Sequence, residues 1–167
     1  MAYTDFESLG AIRAKHAGKK IVFCSGCFDL THAGHALFFK DCAKLGDILV
    51  VMVGADSVIR RDKGPKRPIM NEHLRMKMVD SLKPVDYSFL DRIVSDGAPP
   101  MLFIDHVFEK LKPDVYAINT DAFDIPYREK IVARHGTKLV ILERTCPPEF
   151  EGVSTTKILK KIRESAD

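Results

Sequence analysis

Residues 24–35 read CSGCFDLTHAGH and mark the passage from an apolar strand to an amphipathic helix. The apolar run 21–24 precedes this stretch and is typical of a short strand that is buried on both faces of a sheet. From Gly34 onwards, apolar residues recur at helical spacing, at Leu37, Phe38, Cys42 and Leu45. Gly46 then supplies a helix stop. The stretch therefore predicts the first strand-to-helix turn of an α/β domain.

The alternation of strand and helix continues along the chain. Further apolar runs predict a buried strand at 47–54 and strands at 87–90, 115–118 and 139–142. Helices are predicted between and after them, with Asn71 and Ser154 as N-caps. Short apolar strands separated by helices predict a doubly wound, Rossmann-like α/β fold, with a parallel five-stranded sheet and helices on both faces. Ligands of such sheets bind beyond the carboxyl ends of the strands, where residues 24–35 are expected to lie.

The composition is that of an ordinary globular protein, with 46% hydrophobic and 29% charged residues among 167. This length predicts a single domain over residues 1–167. A net charge of +3 is too small to indicate a dedicated nucleic-acid-binding protein. The sequence shows neither a secretory leader nor an apolar run long enough for a membrane span, so we expect a cytoplasmic protein without membrane contact.

The cysteines are sparse for a disulfide framework, and we expect all of them to be reduced thiols: Cys24, Cys27, Cys42 and Cys146. Cys24 and Cys27 form a CxxC, which leaves a thioredoxin-like redox site as an alternative to strand-end residues without redox chemistry.

Residues 55–70 interrupt the apolar pattern with a cluster of positive charges around Gly64, Pro65 and Pro68. The cluster consists of Arg60, Arg61, Lys63, Lys66 and Arg67. Its composition predicts a mobile basic loop.

His32 and His35 are three residues apart at the predicted N-terminus of the first buried helix. Backbone amides and the helix dipole favour anions at such a position, and Gly34 leaves room for the close approach of a phosphate. Two imidazole donors beside a bare backbone suit a polyphosphate. Three alternatives remain from the residues alone: structural histidines, a general acid or base, and a zinc pair completed by a third ligand such as Asp29.

The stretches GCFDLTHAGH (26–35) and KLGDILVVMVGAD (44–56) resemble the HxGH nucleotidyltransferases. The resemblance is greatest to the small cytidylyltransferases, such as glycerol-3-phosphate cytidylyltransferase, and to the adenylyltransferase domain of ADP-heptose synthase. Two further motifs follow in the family's order: RPIMNEHLRMKMVDSLKPVDY (67–87), and RT (144–145) with EGVSTTKI (151–158). The resemblance covers roughly residues 20 to 162.

The resemblance implies an enzyme in which the phosphate of a small phosphorylated alcohol or sugar attacks the α-phosphorus of a nucleoside triphosphate. The products are a nucleotide-activated compound and pyrophosphate. The family implies Mg²⁺ as a phosphate-bound ion rather than an ion in a protein cage, and a functional homodimer. A nucleotide-binding regulatory module without turnover is an alternative of a different class.

The choice of nucleotide rests on two resemblances that point in different directions. RT with EGVSTT favours CTP and the transfer of CMP, whereas RDKGPKRPIMN (61–71) is similar to the ATP-using heptose enzymes. A segment similar to SLKPVD (81–86) also occurs in archaeal FAD synthetases, so an ATP-dependent enzyme acting on a sugar phosphate or FMN is the alternative.

The resemblance also assigns residues to roles. His32 and His35 are expected to donate hydrogen bonds to the triphosphate and its transition state, together with Arg75 and with Lys63 or Lys66 from the basic segment. The remaining residues implied in nucleotide binding are Gly26, Cys27, Phe28, Asp29, Gly34, Asn119, Asp121, Arg144, Ser154, Thr155 and Thr156. The chain departs from the family at 118–121, where INTD replaces the GDDW-like or KGGDY-like run of the base and acceptor pocket.

Overall fold

The computed structural model describes residues 4–92, 101–144, 146–150 and 153–165. The strands are β1 (Ile21–Gly26), β2 (Ile48–Val53), β3 (Tyr87–Leu90), β4 (Val115–Asn119) and β5 (Lys138–Leu142). The α-helices are α1 (Leu9–Lys15), α2 (Ala33–Ala43), α3 (Asp56–Lys63), α4 (Glu72–Asp80), α5 (Leu102–Leu111), α6 (Ile125–His135) and α7 (Thr155–Glu164).

The five strands form one sheet in the order β3-β2-β1-β4-β5, and every pairing is parallel. This order confirms the predicted doubly wound, Rossmann-like fold. Strands β2 and β3 are added on one side of β1, and the chain then returns to add β4 and β5 on the other side of β1. The crevice at the carboxyl ends of β1 and β4 is therefore the expected ligand site.

Successive side chains of a strand point to opposite faces of the sheet, so each face presents apolar residues that helices cover. Phe23 and Tyr116 belong to a core that includes buried residues of α1, α5 and α6. Cys24 and Val51 belong to the opposite core, which α2 and α4 complete. The first turn of α2 and the first turn of α6 thus flank the crevice from different sides of the sheet.

Two parts of the fold differ from the prediction. Helix α1 was not predicted, although it buries Leu9 and Ile12. The expectation of a loop over 55–70 is wrong for its first half, which forms α3. Val58 and Ile59 are the buried residues of α3, and the charged residues that suggested a loop occupy its exposed positions. Among the described helices, none combines the length and apolar character needed to cross a membrane.

Candidate functional site

The turn from β1 to α2 has an unusual backbone path. Phe28 and Leu30 adopt φ angles of 50° and 46°, in the left-handed region that non-glycine residues rarely occupy. A Cβ on Gly26 would lie 2.8 Å from Cζ of Phe28, so a side chain there would displace the Phe28 ring. That ring is buried, its centroid lies 4.8 Å from the centroid of the Phe39 ring, and it packs edge-to-face with His35. Gly26 and Phe28 therefore shape the turn that carries the histidines.

His32 and His35 cap α2 through their Nδ1 atoms. The Gly34 amide donates to Nδ1 of His32 at 3.1 Å, and the His32 amide donates to Nδ1 of His35 at 3.4 Å. The two rings stack with their centroids 4.0 Å apart. An Nδ1 that accepts a hydrogen bond leaves the ring hydrogen of a neutral imidazole on Nε2. Both histidines are thus fixed in the tautomer that can donate from Nε2.

Both imidazoles are neutral at pH 7. Burial lowers the pKa of His35 to about 3, and repulsion from Arg144 and from a protonated His32 ring acts in the same direction. Burial and then Arg144 lower the pKa of His32 below its usual value. The low pKa of His35 makes it a poor proton acceptor at neutral pH, which favours the role of a neutral donor over that of a general base.

The N-terminus of α7 lies against the same turn. The Thr155 hydroxyl donates to the backbone oxygen of Asp29 at 2.9 Å, and Ser154 caps α7 by accepting from the Lys157 amide. The Val153 carbonyl lies 3.5 Å from the position that a Cβ on Gly34 would take. Two helix N-termini, those of α2 and α7, therefore adjoin one another at the HAGH turn (residues 32–35), and each favours an anion. Thr156 belongs to the first turn of α7, while Thr145, Glu151 and Gly152 lie outside the described residues.

Asp29 serves the backbone of the segment that follows α3. Its buried carboxylate accepts from the amides of Ile69 and Met70 at 2.9 Å each, and Arg67 lies 3.3 Å away. The second half of the basic segment is thus anchored beside the histidine turn. Because its oxygens are engaged in this way, Asp29 acts as a structural support of the site.

Arg75 is completely buried and joins three separate parts of the chain. Its guanidinium donates to the backbone oxygens of Met70 and Cys27 at 2.9 and 2.7 Å, and to the Asp56 carboxylate at 2.7 Å. These bonds link α4 to the beginning of the turn between β1 and α2, at Cys27, and to the start of α3. The structure therefore places Arg75 beneath the site, away from the open crevice.

Lys63 is the basic-segment lysine that acts on the histidine turn. Burial is the main reason that the pKa of His35 falls to about 3, and the Lys63 ammonium contributes in the same direction. Burial raises the pKa of the Cys27 thiol, and Lys63 opposes this rise. Lys63 and Lys66 are both exposed, and Lys63 is the one whose charge bears on the pKa of groups in this turn.

Asn119, Asp121 and Arg144 lie on the β4 side of the crevice. Asn119 ends β4 next to β1, and Asp121 follows in the turn towards α6. Arg144 forms an ion pair with Asp121, and its charge also helps to lower the pKa of both histidines after burial. The structure thus brings these three predicted residues to the same crevice as His32 and His35.

The cysteine pair shows none of the features of a redox centre. Cys24 is fully buried, and all four cysteines are free thiols. Burial raises the pKa of Cys24 and of Cys27, whereas a redox-active cysteine needs a lowered pKa. Within the described ranges, no group of three or more His, Cys, Asp or Glu side chains is placed to hold a metal ion.

Two supporting residues were missed by the sequence analysis. Asp56, the partner of Arg75, is the last residue of the GAD that follows β2, so its position at a carboxyl strand end was a usable signal. Arg67, which pairs with Asp29, is the first residue of the motif at 67–87, but nothing local to it indicated a buried carboxylate partner.

Comparison with known proteins places the chain in a family. A family model described as cytidylyltransferase-like matches residues 23–161. The Bifunctional protein HldE of Helicobacter pylori (strain P12) is 36% identical over 148 residues, which cover 88% of this chain and 28% of that protein. The Bifunctional protein HldE of Alcanivorax borkumensis is 36% identical over 152 residues, with 90% and 29% covered. The chain thus spans less than a third of the length of these curated relatives.

Solved structures share the fold. A lipopolysaccharide core biosynthesis protein from Thermoplasma volcanium GSS1 is 31% identical, with a TM-score of 0.62 and coverage of 78% of this chain and 99% of that one. A pantoate-beta-alanine ligase from Francisella tularensis, at 15% identity and a TM-score of 0.62, shares the fold alone over 98% of this chain and 78% of its own. The resemblance seen in the motifs is confirmed: the chain belongs to the cytidylyltransferase-like family.

Proposed function

We propose that the protein is a nucleotidyltransferase that transfers a nucleoside monophosphate from a nucleoside triphosphate to a small phosphorylated acceptor. The observation that carries this proposal is the pairing of two neutral histidines, fixed as Nε2 donors, with two adjoining helix N-termini. This arrangement suits a group that gathers negative charge during reaction, as a departing pyrophosphate does.

Each element of the site has a role in the proposed reaction. The backbone amides of Thr155 and Thr156 at the start of α7, with the Ser154 hydroxyl, hold the β- and γ-phosphates, and the dipole of α2 favours the same charge. An acceptor oxygen attacks the α-phosphorus in line, while the bond to pyrophosphate breaks and its electron pair leaves with the pyrophosphate. His32 and His35 donate to the charge that develops, and Lys63 reaches over the phosphates from the end of α3. Arg75 and Asp29 hold these groups in position without contacting the nucleotide.

ATP is the donor in this proposal, in place of the CTP favoured by the RT and EGVSTT resemblance. The support is the similarity of residues 61–71 to the ATP-using heptose enzymes. The HldE proteins of several bacteria also match about nine-tenths of this chain.

A sugar phosphate is the acceptor in this proposal. The relative from Thermoplasma volcanium is described as a lipopolysaccharide core biosynthesis protein, and such a core is built from sugars. The turn after β4, where the chain departs from both subfamilies, is the segment in which we expect selectivity for the sugar to lie.

Mg²⁺ enters this proposal on the triphosphate. The described residues offer no cluster of protein ligands, and Asp29, the carboxylate of the histidine turn, is already bonded to amides and to Arg67. An ion held by phosphate oxygens and water fits this chemistry and would neutralise part of the phosphate charge.

Pyrophosphate release, measured with ATP and with CTP across a panel of sugar phosphates, alcohol phosphates and FMN, tests the proposal. We expect turnover with ATP and a sugar phosphate. His35→Ala should lower kcat by about 100-fold or more, as expected for a lost transition-state donor. His73→Ala, on the exposed side of α4, is the matched control and should leave kcat unchanged. ATP binding without turnover with any acceptor would instead indicate a regulatory module.

A further inference from the structure

Arg128 is a buried cation to which no carboxylate among the described residues is paired. It lies in the first turns of α6 with 9% of its surface exposed. Its Nε donates to the Phe123 carbonyl at 2.8 Å, its Nη1 donates to the Tyr116 hydroxyl, and its charge lies 5.5 Å from the centre of the Tyr116 ring. No ion pair to Arg128 occurs among the described residues, and none of them accepts a hydrogen bond from its Nη2.

The contrast with Arg75 shows why this is unusual. Arg75 is buried to a similar degree, but Asp56 lies 2.7 Å from it and compensates its charge. A buried guanidinium that lacks such a partner is costly, because desolvation is not offset by an ion pair. The same burial lowers the pKa of Arg128 to about 10, which still leaves it charged at neutral pH. An anion supplied from outside the chain would complete its surroundings.

Arg128 is linked to the crevice through two hydroxyls. The Tyr116 hydroxyl lies 3.0 Å from Oγ of Ser25, which immediately precedes Gly26 at the carboxyl end of β1. The three side chains therefore bridge α6, β4 and β1 where the strand order reverses. Ser25 is in part exposed, so this hydroxyl chain runs from the buried arginine to the rim of the crevice.

The trio of Arg128, Tyr116 and Ser25 lies on a different side of the crevice from the histidines. Tyr116 belongs to the core on the side of α6, whereas α2 and its histidines cover the opposite face of the sheet. Through the Phe123 carbonyl, Arg128 also supports the turn that follows residues 118–121, where the chain departs from both subfamilies it resembles. The trio thus flanks the crevice from the side opposite to the triphosphate groups.

We propose that Arg128, with Ser25 and Tyr116, forms the subsite for the phosphate of the acceptor. This inference rests on the proposed function. The guanidinium holds two oxygens of a phosphate monoester while a third oxygen attacks the α-phosphorus of ATP. The new bond joins the acceptor phosphate to the adenylyl group, and the breaking bond releases pyrophosphate with its electron pair. An acceptor bound opposite the leaving group satisfies the in-line requirement.

A binding experiment tests the subsite without requiring turnover. The protein is saturated with α,β-methylene-ATP to fill the triphosphate site, and inorganic phosphate is then titrated by calorimetry. We expect the wild type to bind phosphate and Arg128→Met to bind it about 10- to 100-fold more weakly, as for the loss of charge-assisted hydrogen bonds. Arg134→Met, at an exposed position of the same helix, is the matched control and should bind as the wild type does.

Steady-state kinetics with the sugar phosphate that gives the highest turnover then distinguish a loss of acceptor binding from a general disruption of the active site. Arg128→Met should raise the KM for the sugar phosphate by about 10- to 100-fold and change the KM for ATP by less than about twofold. Ser25→Ala and Tyr116→Phe each remove a single hydroxyl and should raise the same KM by about 3- to 10-fold. These two variants decide the matter if Arg128→Met fails to fold.

Equal phosphate binding by Arg128→Met and Arg134→Met would overturn the subsite, as would a parallel rise of both KM values. An unchanged acceptor KM in Ser25→Ala and Tyr116→Phe would also overturn it. The failure of the proposed function is distinguishable from these results, because it would appear as a wild type that releases no pyrophosphate.

Discussion

Replacing Arg75 with methionine separates a positioning role from direct contact with phosphate. The methionine keeps the length of the side chain and removes the guanidinium. It leaves the Asp56 carboxylate without its partner at 2.7 Å, and the backbone oxygens of Cys27 and Met70 without their donor. The variant therefore loses the hydrogen bonds through which Arg75 joins α4 to the turn between β1 and α2 and to the start of α3.

The size of the effect follows from burial. Removing one partner of a buried ion pair costs about 3–5 kcal/mol. The Asp56 side chain is 15% exposed, and Arg60 lies 3.9 Å from it, so we expect the lower end, about 3 kcal/mol. For a chain of this length that corresponds to a fall in Tm of about 6–12 °C.

Urea denaturation followed by circular dichroism measures this loss. Adding Asp56→Asn to Arg75→Met removes the unpaired charge and should restore about 1–2 kcal/mol. Arg60→Met, at an exposed position, should change the unfolding free energy by less than about 0.5 kcal/mol. A variant at Arg75 that is as stable as the wild type but fails to bind ATP would refute the positioning role and return Arg75 to the phosphates.

Three further predictions concern the histidine turn. The pKa of His35 is about 3 in the folded protein and 6.5 ordinarily, so the unfolded chain binds one more proton between these values. Stability should therefore fall as the pH drops from 6.5 towards 3, by up to about 1.4 kcal/mol per pH unit from this residue, and His35→Asn should remove that part of the slope in acid titrations of unfolding. Lys63→Met should raise the KM for ATP about tenfold or more, whereas Lys66→Met should change it less than about twofold; equal effects in steady-state assays would contradict the assignment of Lys63. Gly34→Ala places a Cβ 3.0 Å from the His32 ring, in the space left for a phosphate, and should lower kcat/KM by about 100-fold. A Gly34→Ala variant of normal activity would show that the phosphate does not need this space.

The fold could be predicted because its signals are local. Each parallel strand is a short apolar run, and β3 lies where the pattern placed it. Helix α1 was missed because seven residues with two buried side chains give too short a periodic signal. The many charges of α3 predict a loop, because they outweigh its two buried residues, Val58 and Ile59, in the composition.

The site could be predicted only in part, because its supports depend on contacts between distant residues. The HAGH and STT motifs identified the two helix N-termini, but their contact through Thr155 and Asp29 joins residues 126 positions apart. The burial of Arg75 against Asp56 and the isolation of Arg128 are likewise properties of the packed chain. The single domain over residues 1–167 and the homodimer stay predictions, which limited proteolysis and analytical ultracentrifugation respectively can test.

In the proposed site, neutral His32 and His35 offer Nε2 hydrogens to the phosphates of a nucleotide. Long-range ¹H–¹⁵N NMR of the two imidazoles, recorded with and without α,β-methylene-ATP at pH 5 to 8, measures this directly. We expect neutral rings protonated at Nε2 at pH 7, with His35 neutral across the whole range, and shifts of both Nε2 resonances when the nucleotide binds. Imidazolium rings at pH 7, rings protonated at Nδ1, or resonances that the bound nucleotide leaves unmoved would contradict it.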